Sequence, residues 1–270
     1  MTLAVEHDDR GVLTLRLDRP EKRNALDEET MLALIERLEG ASTDDRVRVI
    51  LLEGAGGNFC GGADIVARNA RSVARNTRSE RKPRAGSIQR RVPVQAHRLI
   101  QLICAVQVPV VCKVRGWAAG IGFQLALAAD LTVAADDARF WEPFTERGFT
   151  PDSGATWLLP RRVGEVRARE LLLLGRTLSG AEAATWGAVH RAVPDADLDA
   201  AVVDVVTRLA TGPTVALGLT KWLLNAGADA GLQAQLANEA FALELSSRSE
   251  DFREGLAAFL EKRAPRYEGR

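Results

Sequence analysis

Hydrophobic and polar residues follow two regular periods along this chain, and each period predicts one type of element. Gly11 to Asp18 alternates apolar and polar residues, which is typical of a half-buried strand. After Asp27, a plausible N-cap, apolar residues recur at helical spacing up to about Gly40. Val47 to Leu52 is a short continuous apolar run, as in a strand buried on both faces. This part of the chain is therefore predicted to be strand, helix, strand.

The same periods predict further strands in the middle of the chain and mostly helices after Ala155. The predicted strands are Val108 to Val114, Leu131 to Ala134, Ala138 to Trp141 and Val189 to Val193. The predicted helices are Leu99 to Ile103, Thr156 to Leu159, Val166 to Leu174, Ala181 to Trp186, Leu198 to Leu209, Thr214 to Asn225, Ala234 to Leu245 and Asp251 to Lys262. The last helices carry Leu and Ala stripes together with Phe241, Phe252 and Phe259, which predicts a subunit interface.

Composition excludes several classes of function. Lys plus Arg and Asp plus Glu both number 36, so the overall charge favours neither nucleic acid nor an acidic partner. No apolar run approaches the roughly 20 residues of a membrane span, and residues 1–10 lack the apolar core of a signal peptide, so we expect a cytoplasmic protein. The three cysteines have no CxxC spacing and the three histidines are scattered, so neither a metal site nor a disulfide framework is expected.

Two glycine-rich turns each follow a predicted buried strand. The first, Asn58 to Ile65, has small residues that let the backbone approach a ligand closely. The second, within Arg115 to Asp130, leads into a helix whose first N–H groups have no partner inside the helix. Such a turn can bind an anion, or an oxygen that becomes negative during a reaction, although close packing alone would also require glycine. If both turns converged on one carbonyl oxygen they would form an oxyanion hole, in which each donor contributes about 3 to 4 kcal/mol.

Two segments between these motifs and the C-terminal helices are irregular. Ile65 to Ala96 is polar and rich in arginine, as expected of a solvated loop or frayed helix or, alternatively, of a positive lid over an anionic ligand. Glu142 to Gly154 is a long connection that ends at the N-terminus of a helix. Loops of that length inside a compact domain are usually functional.

In their order and spacing, five stretches resemble the enoyl-CoA hydratase/isomerase superfamily, also called the crotonase family, along essentially the whole chain. These stretches are Arg19-Pro20 with Asn24-Ala25-Leu26, Phe59 to Asp64, Gly116 to Gly122, Gly148 to Gly154, and Phe259 to Arg263. The resemblance implies an α/β fold, a spiral of repeated ββα units over residues 1–200. It also implies that residues 201–270 form a C-terminal helical region that mediates trimers or pairs of trimers (hexamers).

The resemblance further implies a coenzyme A thioester as substrate, with no separate cofactor. By analogy, the peptide N–H groups of Ala63 and Ile121 hold the thioester oxygen. The adenine and pantetheine parts would contact the backbone around Arg23, Ala25, Gly61 and Asp64. Lys262 would reach a phosphate of coenzyme A bound to a neighbouring subunit.

Two residues distinguish this chain from the hydratases of the family. Hydratases use two glutamates to place a water molecule and to move its proton, whereas this sequence has Gln124 and Phe144 at the matching positions. An amide can hydrogen-bond a water but cannot take its proton, and a phenyl ring can do neither. Efficient hydration is therefore disfavoured.

Asp152 lies at the position where dienoyl-CoA isomerases, ring-isomerising acyl-CoA enzymes and chlorobenzoyl-CoA dehalogenases place a working aspartate. We expect it in an apolar pocket beside Phe144 and Trp141, where it could carry a proton between two carbons of an enolate. Alternatively, Asp152 only caps a helix that begins at Ser153. The leading prediction is thus an acyl-CoA isomerase with Ala63 and Ile121 as oxyanion donors and Asp152 as proton shuttle.

Other interpretations stay open. Glu142 or Glu146 could replace the missing acids of a hydratase, although each is expected to be solvated or salt-bridged. Because both acid positions are altered, the chain could also be a non-catalytic acyl-CoA binding protein. His97 is near the position of a dehalogenase histidine, and an ordinary helix histidine is the expectation there. An aromatic-walled pocket is suggested by Trp141, Phe144, Phe149 and Trp157. The sequence does not specify the acyl group.

Overall fold

The computed structural model describes residues 2–64 and 86–270, and within them the chain forms two sheets surrounded by helices. The strands are β1 (Leu3–His7), β2 (Val12–Leu17), β3 (Val49–Gly54), β4 (Val110–Val114), β5 (Trp117–Ala119), β6 (Leu131–Ala135), β7 (Arg139–Trp141), β8 (Leu178–Ser179) and β9 (Arg191–Val193). The helices are α1 (Glu28–Ala41), α2 (Ser87–Arg91), α3 (Ala96–Ala105), α4 (Ile121–Ala128), α5 (Ala155–Val163), α6 (Glu165–Leu174), α7 (Gly180–Trp186), α8 (Leu198–Ala210), α9 (Thr214–Gly227), α10 (Leu232–Ser246) and α11 (Glu250–Glu261).

The strands divide between a large and a small sheet in a repeating manner. The large sheet has the order β1-β2-β3-β4-β6-β9, and the small sheet has the order β5-β7-β8. All neighbours in the large sheet are parallel except β1 and β2. β4 is followed by β5 and then α4, and β6 is followed by β7, so consecutive ββα units place one strand in each sheet. Parallel pairing requires the chain to cross back between strands, and the helices supply these crossovers.

The core lies around β4 and α4. The β4 residues Val110, Val111, Cys112 and Val114 are at most 1% exposed, and all eight residues of α4 are buried. Seven of those eight are apolar or glycine, which is the composition of a helix buried on every side. Gln124 is the exception, and its polar amide must therefore find partners inside the protein.

Most of the predicted elements are confirmed, with small shifts at their ends. Asp27 is the N-cap of α1, because its carboxylate accepts a hydrogen bond from the Thr30 N–H at 2.9 Å. Three short strands were not predicted, namely β1, β5 and β8. β5 interrupts the stretch that was interpreted as one glycine turn between β4 and α4, since Trp117 to Ala119 pairs with Arg139 to Trp141.

A buried ion pair ties the C-terminal helices to the core. The Lys221 ammonium on α9 lies 2.7 Å from the Asp130 carboxylate, and it also donates to the carbonyl oxygens of Ile103 (2.8 Å) and Val108 (3.2 Å). Asp130 in turn accepts a hydrogen bond from the Val110 N–H at 2.7 Å. Burial lowers the pKa of Lys221, and Asp130 partly offsets this effect.

Lys221→Met is expected to lower the free energy of unfolding by about 2 to 3 kcal/mol, because it leaves one carboxylate and two carbonyl oxygens without their donor. Urea denaturation measures this change. Lys262 is an exposed lysine at the C-cap of α11. Lys262→Met is therefore the matched control and should leave the urea midpoint of unfolding unchanged. Equal midpoints for the two variants would contradict a stabilising role for the Lys221–Asp130 pair.

The C-terminal helices expose large apolar side chains. Phe241 on α10 is 59% exposed, and Phe252 and Phe259 on α11 are 48% and 79% exposed. The subunit interface, the trimer or hexamer and the division at residue 200 stay predictions. Within the described ranges, no single helix is long and apolar enough to cross a membrane. Only the bent pair of residues 195–210 and 214–227, which turns by 104°, has the required length and composition when taken together.

Candidate active site

The two glycine turns converge in the structure. Cys60 forms a parallel bridge with Ala118 of β5: its N–H donates to the Trp117 carbonyl and its own carbonyl accepts from the Ala119 N–H, both at 2.9 Å. The two segments run in the same direction. Ala63 is three residues after Cys60 and Ile121 is three residues after Ala118, so both follow the same end of the pairing. The structure therefore places the two glycine turns side by side, and the roles of Ala63 and Ile121 as oxyanion donors stay predictions.

Neither of these two N–H groups donates a hydrogen bond to a described residue. Across residues 2–64 and 86–270, no hydrogen-bond acceptor is present for the N–H of Ala63 or of Ile121. Ile121 is the first residue of α4, so the positive end of the helix dipole lies behind its N–H. Ala63 is exposed in this chain. Both donors are therefore available to an oxygen at the protein surface.

Glycine permits this close approach of the two turns. A Cβ atom on Gly122 would lie only 2.5 Å from the Cys60 carbonyl oxygen, and Gly62 has a φ of 101° that side chains rarely adopt. Gly62 and Gly122 are thus required by the tight packing of the two turns, and ligand binding by these turns stays a prediction.

A third backbone segment completes the site. Arg23 and Asn24 have φ values of 51° and 56°, and the buried Asn24 amide donates to the carbonyl oxygens of Ala55 (2.8 Å) and Asn58 (2.6 Å). The Gly61 N–H donates to the Arg23 carbonyl at 2.7 Å, and the Leu26 N–H donates to the Gly62 carbonyl at 2.8 Å. This arrangement brings Arg23 beside Gly61, and the contact of this backbone with coenzyme A stays a prediction.

Asp64 holds the same segment from the other side. Its carboxylate lies 3.0 Å from the Arg19 guanidinium, which also donates to the Ala25 carbonyl at 2.7 Å. The Asp64 side chain thus holds the loop that carries Ala63, and the Asp64 N–H donates to the Leu26 carbonyl at 2.8 Å. Lys262 is exposed at the C-terminus of α11 with a φ of 54°. Its predicted contact with coenzyme A on a neighbouring subunit stays a prediction.

Gln124 and Glu142 form a buried pair next to the N-terminus of α4. The Gln124 amide nitrogen donates to both carboxyl oxygens of Glu142, at 2.7 and 2.8 Å, and the two residues are 0% and 1% exposed. Glu142 follows β7, and the register of β5 with β7 places it beside Gly120, the N-cap of α4. The expectation that Glu142 is solvated or salt-bridged is therefore wrong, whereas Glu146 is exposed.

Burial raises the pKa of Glu142 well above its usual value of 4.5, because an ionised carboxylate loses its hydration inside the protein. The hydrogen bond from Gln124 opposes this shift, and the negative charge of Asp152 adds to it. Sequence reasoning named Glu142 as a reserve carboxylate but did not predict its burial, because the pattern around β7 shows no alternation that would distinguish an inward carboxylate. The buried Phe140, two residues earlier in the same extended segment, was the available signal, since alternate residues face the same side.

Asp152 differs from its predicted setting. It is exposed rather than enclosed beside Phe144 and Trp141, and its carboxylate accepts a hydrogen bond from the Ser153 hydroxyl at 2.9 Å. The alternative role as a helix cap is also wrong, because α5 begins at Ala155 and Gly154 is its N-cap without any side-chain cap. Asp152 nevertheless lies close enough to Glu142 for its charge to affect that residue.

The aromatic residues of the connection only partly form a wall. Phe144 is buried and meets Phe149 edge to face, with 5.5 Å between ring centroids. The Trp141 indole N–H donates to the Gly175 carbonyl at 3.0 Å. Trp157 is 41% exposed, and the Arg161 guanidinium lies 4.0 Å from its ring centroid. Phe144 and Phe149 are thus the aromatic pair that can contact an acyl group.

The remaining candidate groups have structural positions. Burial raises the pKa of the Cys60 thiol to about 12, so this residue is not a thiolate nucleophile. His97 is half-buried in the first turn of α3, as expected for a helix histidine. In the part of the chain that the structure describes, no three His, Cys, Asp or Glu side chains are grouped as metal ligands would be. Of the arginine-rich segment, residues 65–85 lie outside the described residues.

Glu142→Gln is expected to stabilise the protein increasingly as the pH rises above about 4.5. Because the folded-state pKa of Glu142 is raised, the folded protein binds more protons than the unfolded chain above pH 4.5, and wild-type stability falls as the pH rises to the folded-state pKa. The slope is at most about 1.4 kcal/mol per pH unit, and glutamine removes it.

Urea denaturation from pH 4 to pH 8 measures this difference. The exposed Glu146, replaced as Glu146→Gln, is the control and should follow the wild-type slope. The curves of wild type and Glu142→Gln should meet below about pH 4.5. Parallel curves at all pH values would show that Glu142 is not protonated preferentially in the folded state.

Comparison with known proteins identifies the family. The family model for enoyl-CoA hydratase/isomerase matches residues 7–270. The chain is 40% identical over 270 residues to 1,2-epoxyphenylacetyl-CoA isomerase of Escherichia coli K12, with all of both chains covered. It is 38% identical over 265 residues to a protein from Rhodobacter capsulatus described as a probable enoyl-CoA hydratase, covering 96% of this chain and 95% of that one.

A solved structure shows the same fold. The crystal structure of enoyl-CoA hydratase from Bacillus anthracis superposes with a TM-score of 0.90 at 29% identity, with 100% of both chains covered. The predicted crotonase fold, with its α/β core and helical C-terminal region, is thereby confirmed. From its sequence match, its fold and its converging glycine turns, we conclude that the chain belongs to the enoyl-CoA hydratase/isomerase family and is an enzyme of this kind, acting on acyl-CoA.

Proposed function

We propose that this enzyme isomerises an acyl-CoA thioester by moving a double bond through an enolate. The N–H groups of Ala63 and Ile121 would stabilise the negative charge that develops on the thioester oxygen. Asp152 would remove a proton from one carbon and return it to another. This reaction needs no activated water, because the proton that leaves one substrate carbon is returned to another.

The observation that carries this proposal is the distribution of acids around the oxyanion donors. Asp152 is an exposed carboxylate, and its negative charge acts on Glu142. Gln124 and Phe144 occupy the positions of the two hydratase acids, and Glu142 is buried with its pKa raised. Asp152 and Glu146 are the exposed carboxylates of this connection, and the electrostatic effect of Asp152 on Glu142 favours Asp152 as the base.

We also propose that the acyl group contains a ring. The edge-to-face pair of the buried Phe144 and the exposed Phe149 offers an aromatic surface within the same connection as Asp152. The relative from E. coli is named as an isomerase of 1,2-epoxyphenylacetyl-CoA, which has a ring in its acyl group. Affinities for phenylacetyl-CoA and hexanoyl-CoA test this: tighter binding of the linear chain, with Phe149→Ala without effect, would contradict it.

The coenzyme A part would lie along the backbone of Arg23, Ala25, Gly61 and Asp64. In this segment the Gly61 N–H donates to the Arg23 carbonyl, and the Arg19 guanidinium donates to the Ala25 carbonyl and pairs with Asp64. Lys262 of a neighbouring subunit would reach a phosphate, and the exposed Phe241, Phe252 and Phe259 support assembly into a trimer or hexamer. The cytoplasm is the proposed location.

Isomerisation, exchange and hydration are distinguished by one experiment. The protein is incubated with 2-enoyl-CoA and with 3-enoyl-CoA in deuterated water, and deuterium exchange, double-bond position and hydroxyacyl-CoA are followed separately. We expect exchange at the α-carbon and transfer of the double bond, with little hydration. Hydration as the dominant product would overturn the proposal.

A hydratase that uses Glu142 is the second candidate. It is favoured by the pairing of Glu142 with Gln124 beside α4, which places a carboxyl group near the position of a hydratase acid. In this case hydration in ¹⁸O-labelled water would place the label in the product, and Glu142→Gln would abolish it. Because a neutral Glu142 cannot accept a proton, isomerisation through Asp152 is the better-supported function.

A further inference from the structure

We propose that Glu142 is a positioning residue that stays protonated and gives its hydrogen bond to the amide oxygen of Gln124, so that the two side chains form a neutral pair behind the oxyanion donors. The inference rests on the proposed isomerase function. The protonated Glu142 would fix both side chains without placing a negative charge beside a thioester oxygen that itself becomes negative.

The geometry of the pair calls for one additional proton. The Gln124 amide nitrogen is within 2.8 Å of both Glu142 oxygens, while the Gln124 amide oxygen is buried and has no hydrogen-bond partner among the described residues. An ionised carboxylate can only accept hydrogen bonds, so it cannot satisfy that oxygen. A protonated Glu142 supplies the missing donor, and a small rotation of the amide then allows one hydrogen bond in each direction.

The charges around the pair favour the same state. α4, which carries Gln124, has no charged residue. Asp152 in the following connection is the charged group that acts on Glu142, and its negative charge disfavours a second carboxylate. Cations of the neighbouring elements have other contacts; these are Arg139 over the Trp117 ring, Arg147 over the Trp141 ring, and Arg162, which donates to the carbonyl oxygens of Leu127 and Ala129.

The position of the pair explains why neutrality matters for the reaction. Gln124 lies one helical turn after Ile121, and Glu142 lies beside Gly120, so both are close to the donor at the start of α4. A carboxylate there would oppose the enolate through an interior of low dielectric constant. A neutral pair leaves the helix dipole and the two N–H groups unopposed.

Infrared difference spectroscopy tests the protonation state without relying on activity. The spectrum of the wild type minus that of Glu142→Gln at pH 7 should contain a protonated-carboxyl C=O band that shifts in ²H₂O. The exposed Glu146, replaced as Glu146→Gln, is the control and should give only the bands of an ionised carboxylate. A wild-type difference spectrum with only carboxylate bands would overturn the proposal.

Kinetics then test the positioning role. Glu142→Ala should lower the isomerisation kcat about 10- to 100-fold, because Gln124 loses its partner beside the oxyanion site. Glu142→Gln should restore kcat to within about threefold at pH 7, and it should remove the fall in kcat that ionisation of Glu142 causes in the wild type at high pH. Equal loss in both variants, or an unchanged alkaline fall in Glu142→Gln, would overturn the positioning role.

The outcome for Glu142 is separable from that for the proposed function. If Asp152→Asn leaves isomerisation intact while the protonated-carboxyl band is present, the proton shuttle is wrong and the neutral pair stands. If Asp152→Asn abolishes isomerisation and the band is absent, the shuttle stands and the neutral pair is wrong.

Discussion

Asp152→Asn is expected to lower the kcat for isomerisation about 10²- to 10⁴-fold while leaving acyl-CoA binding within a few-fold of the wild type. Asparagine keeps the size and an oxygen acceptor for the Ser153 hydroxyl, so the local structure should persist. It cannot take up a proton, and the proposed transfer between two carbons would therefore stop. Stopped-flow assays of double-bond migration, together with calorimetric binding of a saturated acyl-CoA, measure the two effects.

Glu146→Gln is the matched control for Asp152→Asn, because Glu146 is an exposed carboxylate of the same connection. Its kcat should equal that of the wild type. Deuterium exchange at the α-carbon should disappear in Asp152→Asn together with isomerisation, since both depend on the same proton transfer. Exchange and isomerisation at wild-type rates in this variant would assign the base to another residue.

Ile121→Pro is expected to lower kcat about 10²- to 10³-fold, because proline removes the proposed oxyanion donor from the backbone. Proline is tolerated at the first position of a helix, where the N–H has no partner within the helix. Gly120, the preceding residue, has a ψ of −125°, which is outside the helical region that a following proline disfavours. The fold of α4 should therefore be kept.

Ile121→Ala is the matched control for the proline variant. It also loses the buried isoleucine side chain, which is 3% exposed, but it keeps the N–H. Both variants should be destabilised, since truncation of a buried isoleucine to alanine costs about 2 to 5 kcal/mol, and both should be assayed below their melting temperatures. If the two variants have the same kcat, the Ile121 N–H does not stabilise the transition state.

The comparison of prediction with structure shows where local information is sufficient. The helix after Asp27 was predicted correctly because the cap and the apolar spacing both lie within the helix. The glycine turns and the absence of both hydratase acids were also evident from single positions. In contrast, β5 was missed because its three residues are recognisable as a strand only through their pairing with β7.

Glu142 and Asp152 show the opposite case within one connection. From the sequence, Asp152 was expected in an apolar pocket and Glu142 was expected to be solvated or salt-bridged. In the structure the reverse holds: Glu142 is buried against Gln124, and Asp152 is exposed. The burial of a carboxyl group in an irregular segment depends on the strand that precedes it and on the helix opposite. The strand β7 directly precedes Glu142, but the helix opposite is distant in sequence, since Gln124 is 18 residues away.

The sequence by itself determined most of the helices and strands, the two glycine turns, the family resemblance and the missing pair of glutamates, because each depends on residue type and local spacing. The tertiary structure alone decided which groups meet. The parallel pairing of Cys60 with Ala118 brings the two glycine turns together, and the pairing of β5 with β7 places Glu142 beside α4. Such register is set by hydrogen bonds between distant segments, and these form only when the whole fold is assembled.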